Sequence, residues 1–130
     1  MTIRTKAQRR KFSRLRSSLL STVEQIRDLI EPFLDDSPVL AGSVYEIKRK
    51  CGKPNCRCAR GELHRRMVLS TKVEGKTKLH SIPKGALVET RIKTERRRKL
   101  RRARAQLNAL HREILDTIDE MEAMRRDEVS

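Results

Sequence analysis

The chain has 130 residues, of which 36% are apolar, with no Trp, one Tyr (Tyr45) and two Phe (Phe12 and Phe33); that is room for a single domain and excludes a large compact core. Stability must then come from helix packing, a partner chain or a metal. Thirty-two Lys and Arg against 17 Asp and Glu give a formal charge of +15, so the expected partner is a polyanion, with nucleic acid ahead of an anionic membrane surface.

The N-terminal Met1-Thr-Ile-Arg-Thr-Lys lacks the apolar run of a secretory signal. No stretch of about 18 apolar residues occurs to span a membrane. A cytoplasmic location and no membrane partner are expected.

Phe12, Leu15, Leu19, Ile26, Leu29 and Phe33 recur at alternating intervals of three and four, with Thr22 in the missing place. That spacing predicts one apolar stripe along a first helix over residues 6–35. Pro32 disturbs its last turn, and Pro38 pushes Ser37 out of helical geometry. Next comes a different texture, over residues 43–82. Val44-Tyr45-Glu46-Ile47-Lys48 alternates as a strand, Met67, Leu69, Thr71 and Val73 as a second, and Thr77, Leu79 and Ser81 as a third after a turn at Glu74-Gly75-Lys76.

A second helix is predicted over 84–126. Leu100, Ala103, Leu107, Leu110, Ile114, Thr117, Met121 and Met124 keep strict three-four spacing, Leu115 and Ile118 widen the stripe, and Leu87, Val88 and Ile92 lie on its early face. Pro83 suits the first turn. Both helices are basic early and acidic late. Helix one runs from Arg4, Lys6, Arg9 and Arg10 to Asp28, Glu31 and Asp35, and helix two from Arg91–Arg104 to Asp119, Glu120 and Glu128. Laid antiparallel, each basic end faces an acidic one. The expected fold is α+β, mainly α: an antiparallel coiled-coil hairpin, within one chain or exchanged between two, around a small antiparallel sheet.

Three cysteines within eight residues do not make a disulfide framework; clustered thiols point to a metal. Cys51-Gly-Lys-Pro-Asn-Cys56-Arg-Cys58, followed by His64, supplies four donors of the kind a tetrahedral zinc takes. His80 is the alternative fourth ligand, and an iron–sulfur cluster or unliganded thiols are the alternatives to zinc. His111, inside the second helix, is read as structural or solvated. Lys50, Lys53, Arg57 and Arg60 flank the thiols and are expected to lower their pKa. With four donors available, no open metal position remains for a catalytic water. No nucleophile triad, phosphate-binding glycine loop or carboxylate pair is present either, so no enzymatic activity is expected.

The stretch Cys51-Gly-Lys-Pro-Asn-Cys56-Arg-Cys58-Ala-Arg-Gly61, then His64, Gly75-Lys-Thr and Ile82-Pro83-Lys84, resembles an uncharacterised prokaryotic family of small proteins that carry this cysteine block, a hairpin and a closing charged helix. The resemblance covers roughly residues 43–125. It implies a setting near mobile genetic elements and no assigned activity. Where that family follows its histidine with Gly-Pro-Tyr and aromatics, this chain has Arg65-Arg66-Met67.

Two basic regions are suited to phosphates. Residues 43–82 hold eleven Lys and Arg against three Glu, and residues 91–104 hold nine basic residues in fourteen. The residues expected to contact nucleic acid, DNA or RNA, are Lys50, Lys53, Arg57, Arg60, Arg65 and Arg66 in the first region and Arg97, Arg98 and Arg101 in or beside the second. With so few aromatics to stack on bases, contact is expected through the phosphate backbone. The leading expectation is a zinc-stabilised nucleic-acid-binding accessory protein. An adapter or homodimer acting through its helices is the first alternative, and a thiol-based redox or metal sensor the second.

Overall fold

A computed structural model describes residues 5–127; Arg4 and Glu128 lie outside them. Thr5 opens the first helix, α1 (Lys6–Leu34), with a capping box. Its hydroxyl accepts from the Gln8 backbone N–H at 3.1 Å, and the Gln8 side chain accepts from the Thr5 N–H at 3.0 Å, satisfying two end donors that would otherwise lack partners. Pro32 is held in the last turn, and the helix stops two residues later. Three strands follow, β1 (Ser43–Arg49), β2 (His64–Val73) and β3 (Lys76–Ser81), and then α2 (Leu87–Arg125). Among the described residues no helix is long and apolar enough to cross a membrane.

The strands form an antiparallel sheet in the order β1-β2-β3. β2 starts at His64, three residues before the alternating apolar pattern becomes visible. Arg49 pairs with His64 and Ser43 with Ser70, while Val73 pairs with Lys76 across a two-residue turn. Both turn residues, Glu74 and Gly75, have positive φ (52° and 78°), the backbone that matches the twist of a tight hairpin. The second helix starts later than the sequence suggests. Pro83 caps a single 3₁₀ turn at Lys84–Ala86, and the α-helix begins only at Leu87.

The chain divides into two compact units. One contains the residues up to Asp36 together with those from Leu100 onward; the other is Ser37–Lys99. In the helical unit, burial follows the three-four stripe. Phe12, Leu15, Leu19, Ile26 and Leu29 of α1 are half-buried around a buried Thr22, and Leu100, Leu107, Leu110, Ile114, Met121 and Met124 of α2 are half-buried around buried Ala103 and Thr117. Thr22 and Thr117 bond their hydroxyls to the carbonyls of Ser18 and Glu113, one turn back. Two expectations fail here. Leu115 and Ile118 do not widen the stripe but stand exposed, and Phe33 at the end of α1 is exposed as well. The buried seam is one residue wide at each level, as a strict three-four repeat dictates. The Lys11 ammonium lies 3.9 Å from Glu120.

In the other unit Val68, at the centre of β2, is fully buried. Leu40 N–H donates to the Lys93 carbonyl at 3.2 Å, and the Arg96 guanidinium donates to the Pro38 carbonyl, fastening the segment before β1 to the start of α2. On that first stretch of α2, Val88 and Ile92 are exposed (71% and 51%). There Thr94 is buried and Thr90 and Arg97 are half-buried instead.

Candidate metal centre and basic surface

The β1–β2 ladder closes at Arg49–His64, and the intervening residues fold into a knuckle. Cys51 lies two residues beyond β1, and His64 is the first residue of β2. Between them Cys56 N–H donates to the Lys53 carbonyl at 3.1 Å, and Arg57–Arg60 form a 3₁₀ turn. Gly61 ends that turn with φ 106°, its N–H returning to the Cys58 carbonyl; a left-handed residue there favours glycine. These turns send all three thiols back towards His64.

The four donor atoms of Cys51, Cys56, Cys58 and His64 all lie within 4.8 Å of one another. Cys56 Sγ is 3.1 Å from His64 Nε2, Cys58 Sγ is 3.4 Å from Cys51 Sγ, and the Cys51 backbone N–H donates to Cys58 Sγ at 3.2 Å. In a tetrahedron of zinc–sulfur bonds near 2.3 Å, the corners are about 3.7 Å apart, so the set fits a four-coordinate metal with small adjustments. Cys58 is buried, Cys56 half-buried, and Cys51 and His64 are exposed. These residues can hold a metal ion. His80 is not among them. It pairs with Leu69 well along the sheet, and its Nε2 lies 3.1 Å from Thr71 Oγ1.

The thiols are unequal. A hydrogen bond from the Cys58 backbone N–H, reinforced by the Cys51 and Cys58 thiols and by His64, lowers the Cys56 pKa to about 6. At Cys51 the Lys53 N–H pulls the pKa down, but the Cys58 and Cys56 thiols outweigh it and push it up. Hydrogen bonds, rather than the flanking cations favoured on sequence grounds, lead these shifts. The sequence carried no direct sign of the N–H donors, which arise from the turns themselves.

Lys50, Lys53, Arg57 and Arg60 stand exposed around the knuckle, and Arg65 and Arg66 on β2 directly after it. Strand alternation sends Arg65 and Arg66 to opposite faces, and the Arg66 guanidinium donates to Ser81 Oγ at 2.7 Å. None of the eleven basic side chains of residues 43–82 makes an ion pair with a described residue, whereas the ion pairs seen on the helices join Lys11 to Glu120, Lys93 to Glu89, Arg98 to Glu95 and Arg126 to Glu122. Of the helix residues expected at nucleic acid, Arg97 is half-buried and Arg98 lies 3.5 Å from Glu95 in its own helix. Arg101 is exposed and belongs to the helical unit.

Comparison with known proteins gives a family and no activity. The family model described as a domain of unknown function (DUF6788) matches residues 8–93, and the chain belongs to that family. No curated protein and no solved structure matches it.

Proposed function

We propose that this member of the family is a non-enzymatic, cytoplasmic nucleic-acid-binding accessory protein, whose basic sheet unit is held in shape by zinc bound to Cys51, Cys56, Cys58 and His64. Zinc is favoured by the donor set, since three thiolates and one imidazole suit a closed structural site. Three thiolates on one dication leave a net charge of −1, far too small to offset the surplus of eight positive charges over residues 43–82. The observation that carries the proposal is that this surplus has no ion-pair partner among the described residues. Lys50, Lys53, Arg57, Arg60 and Arg65 would then meet phosphate oxygens, and Arg97, Arg98 and Arg101 are proposed as further phosphate contacts. Placement beside the machinery of a mobile genetic element rests on the sequence resemblance alone.

The test is fluorescence anisotropy of the zinc-loaded protein with labelled duplex DNA, duplex RNA and single strands across a salt series. Contact with several phosphates makes log affinity fall linearly with log salt, by about 0.9 per phosphate on a duplex. An affinity insensitive to salt, or no binding at low salt, rejects the proposal.

A second reading has its own observation. Leu20 and Val23 of α1 and Leu115 and Ile118 of α2 are exposed beside the buried seam, a surface suited to another helix. In that reading the helices form the antiparallel coiled-coil hairpin for which their charges and the Lys11–Glu120 approach argue, and the protein is an adapter or a homodimer. A concentration-dependent mass in sedimentation, with nucleic-acid binding absent, would favour it.

A further inference from the structure

Three successive rows of the β1–β2 ladder next to the metal centre are cationic: Arg49 stands opposite His64, Lys48 opposite Arg65, and Ile47 opposite Arg66. Only the Lys48–Arg65 row sets two cations directly opposite one another, an arrangement that weakens an antiparallel pair unless an anion offsets it. The other two rows are relieved in different ways. Arg49 shares its row with a metal ligand whose thiolate set is net negative when the metal is bound. Arg66 is turned to the other face and spends a donor on Ser81 Oγ.

Lys48 and Arg65 have nothing comparable. Both are exposed, both lie on the same face of the sheet, and among the described residues neither makes an ion pair or a side-chain hydrogen bond. Together with Gly61, Glu62 and Leu63 they line a cleft of about 430 Å³ between the end of the knuckle and the strands. Glu62, its one acid, pairs with neither cation.

We propose that Lys48 and Arg65 are a clamp on the phosphodiester backbone of a nucleic-acid duplex. Arg65 presents two parallel N–H groups to one phosphate, and Lys48 supplies a mobile point charge to the same or the next. This rests on the nucleic-acid reading and sharpens it. Lys48 becomes a contact residue, and of the neighbouring arginines Arg65 rather than Arg66 carries the contact.

The experiment compares the parent with Lys48→Gln/Arg65→Gln and with Lys76→Gln/Lys78→Gln in the same salt series, on duplex DNA and duplex RNA. Lys76 and Lys78 of β3 lie on the same face, roughly 20 Å further along the sheet, so removing them changes the net charge equally without touching the clamp. The expected result is a slope shallower by about 2 and an affinity at least about tenfold lower at 0.1 M salt for the first variant, and less than half that effect for the second. Melting of the first variant should be no lower than the parent's, because two opposed charges are gone. Should that variant fail to fold, Arg65→Lys keeps the charge and removes only the planar fork, and it should still weaken binding severalfold. Equal losses in the two double variants, or an unchanged slope in the first, overturn the clamp while leaving the nucleic-acid reading intact. No binding by the parent would overturn that reading itself. Steeper binding to DNA or to RNA identifies which duplex the clamp serves.

Discussion

The helical unit and the sheet unit reach stability by different routes. Along the seam of the helical unit no single apolar side chain is decisive: Leu15, Leu19, Leu29, Leu107, Leu110 and Ile114 are each only half-buried, and the contribution is spread over many repeats. The sheet unit buries few side chains completely, Val68 and Cys58 being the largest. A three-stranded sheet with so little core is marginal in water, and four donors at one end of its β1–β2 ladder offer a cross-link in place of a core. The first arrangement degrades gradually when altered. The second, held by a metal, should be lost all at once.

The largest expected effect follows from that contrast. Cys58→Ser removes the most buried ligand. Structural zinc contributes on the order of 10 kcal/mol to folding in small zinc domains, so amide resonances of residues 43–81 should collapse in a two-dimensional NMR spectrum while those of α1 keep their dispersion. Survival of the sheet resonances would break the comparison.

Next in size is a difference in reactivity among the thiols of the metal-free protein. With the Cys56 pKa lowered to about 6, Cys56 is mostly thiolate at pH 7, and its alkylation rate should climb through pH 6 and level off, well before Cys51 reacts. The lowered pKa also sets a direction for stability. Its contribution is fully present above the ordinary thiol value near 9.0 and is lost as pH falls through about 6. An alkylation profile with all three cysteines rising together near pH 9 would contradict this.

In the helical unit the effects should be smaller and graded. Leu19→Ala should cost about 1–2 kcal/mol in urea unfolding, less than a fully buried leucine would. Thr22→Val should change stability by less than about 1 kcal/mol, because the hydroxyl it removes bonds only to the carbonyl of Ser18, one turn back in its own helix.

The same contrast explains what could be read from the sequence. A repeat of three and four needs only one helix to be visible, so the seam from Phe12 to Leu29 and from Leu100 to Met124 was legible residue by residue, including the threonines that fill its gaps. How wide the seam is was not legible. Leu115, Ile118 and Val88 are apolar, and their exposure depends on what stands opposite. The cysteine block announced a metal set, but the choice between His64 and His80 required strand register, because β2 begins at His64 whereas His80 sits opposite Leu69. Alternation does place Arg65 and Arg66 on opposite faces, yet only the structure shows which of the two has a partner. The late start of α2 came from Pro83, which caps a 3₁₀ turn before the α-helix.

The central claim is that a metal-built basic unit is what touches nucleic acid, and it is tested most directly by one paired measurement: the salt dependence of duplex binding by the zinc-loaded parent and by the same protein stripped with a chelator. The expected result is a steep log–log slope for the loaded protein and, once the knuckle has lost its shape, a weaker affinity with a shallower slope. Identical slopes and affinities in the two forms would contradict it and move the contact to the helices.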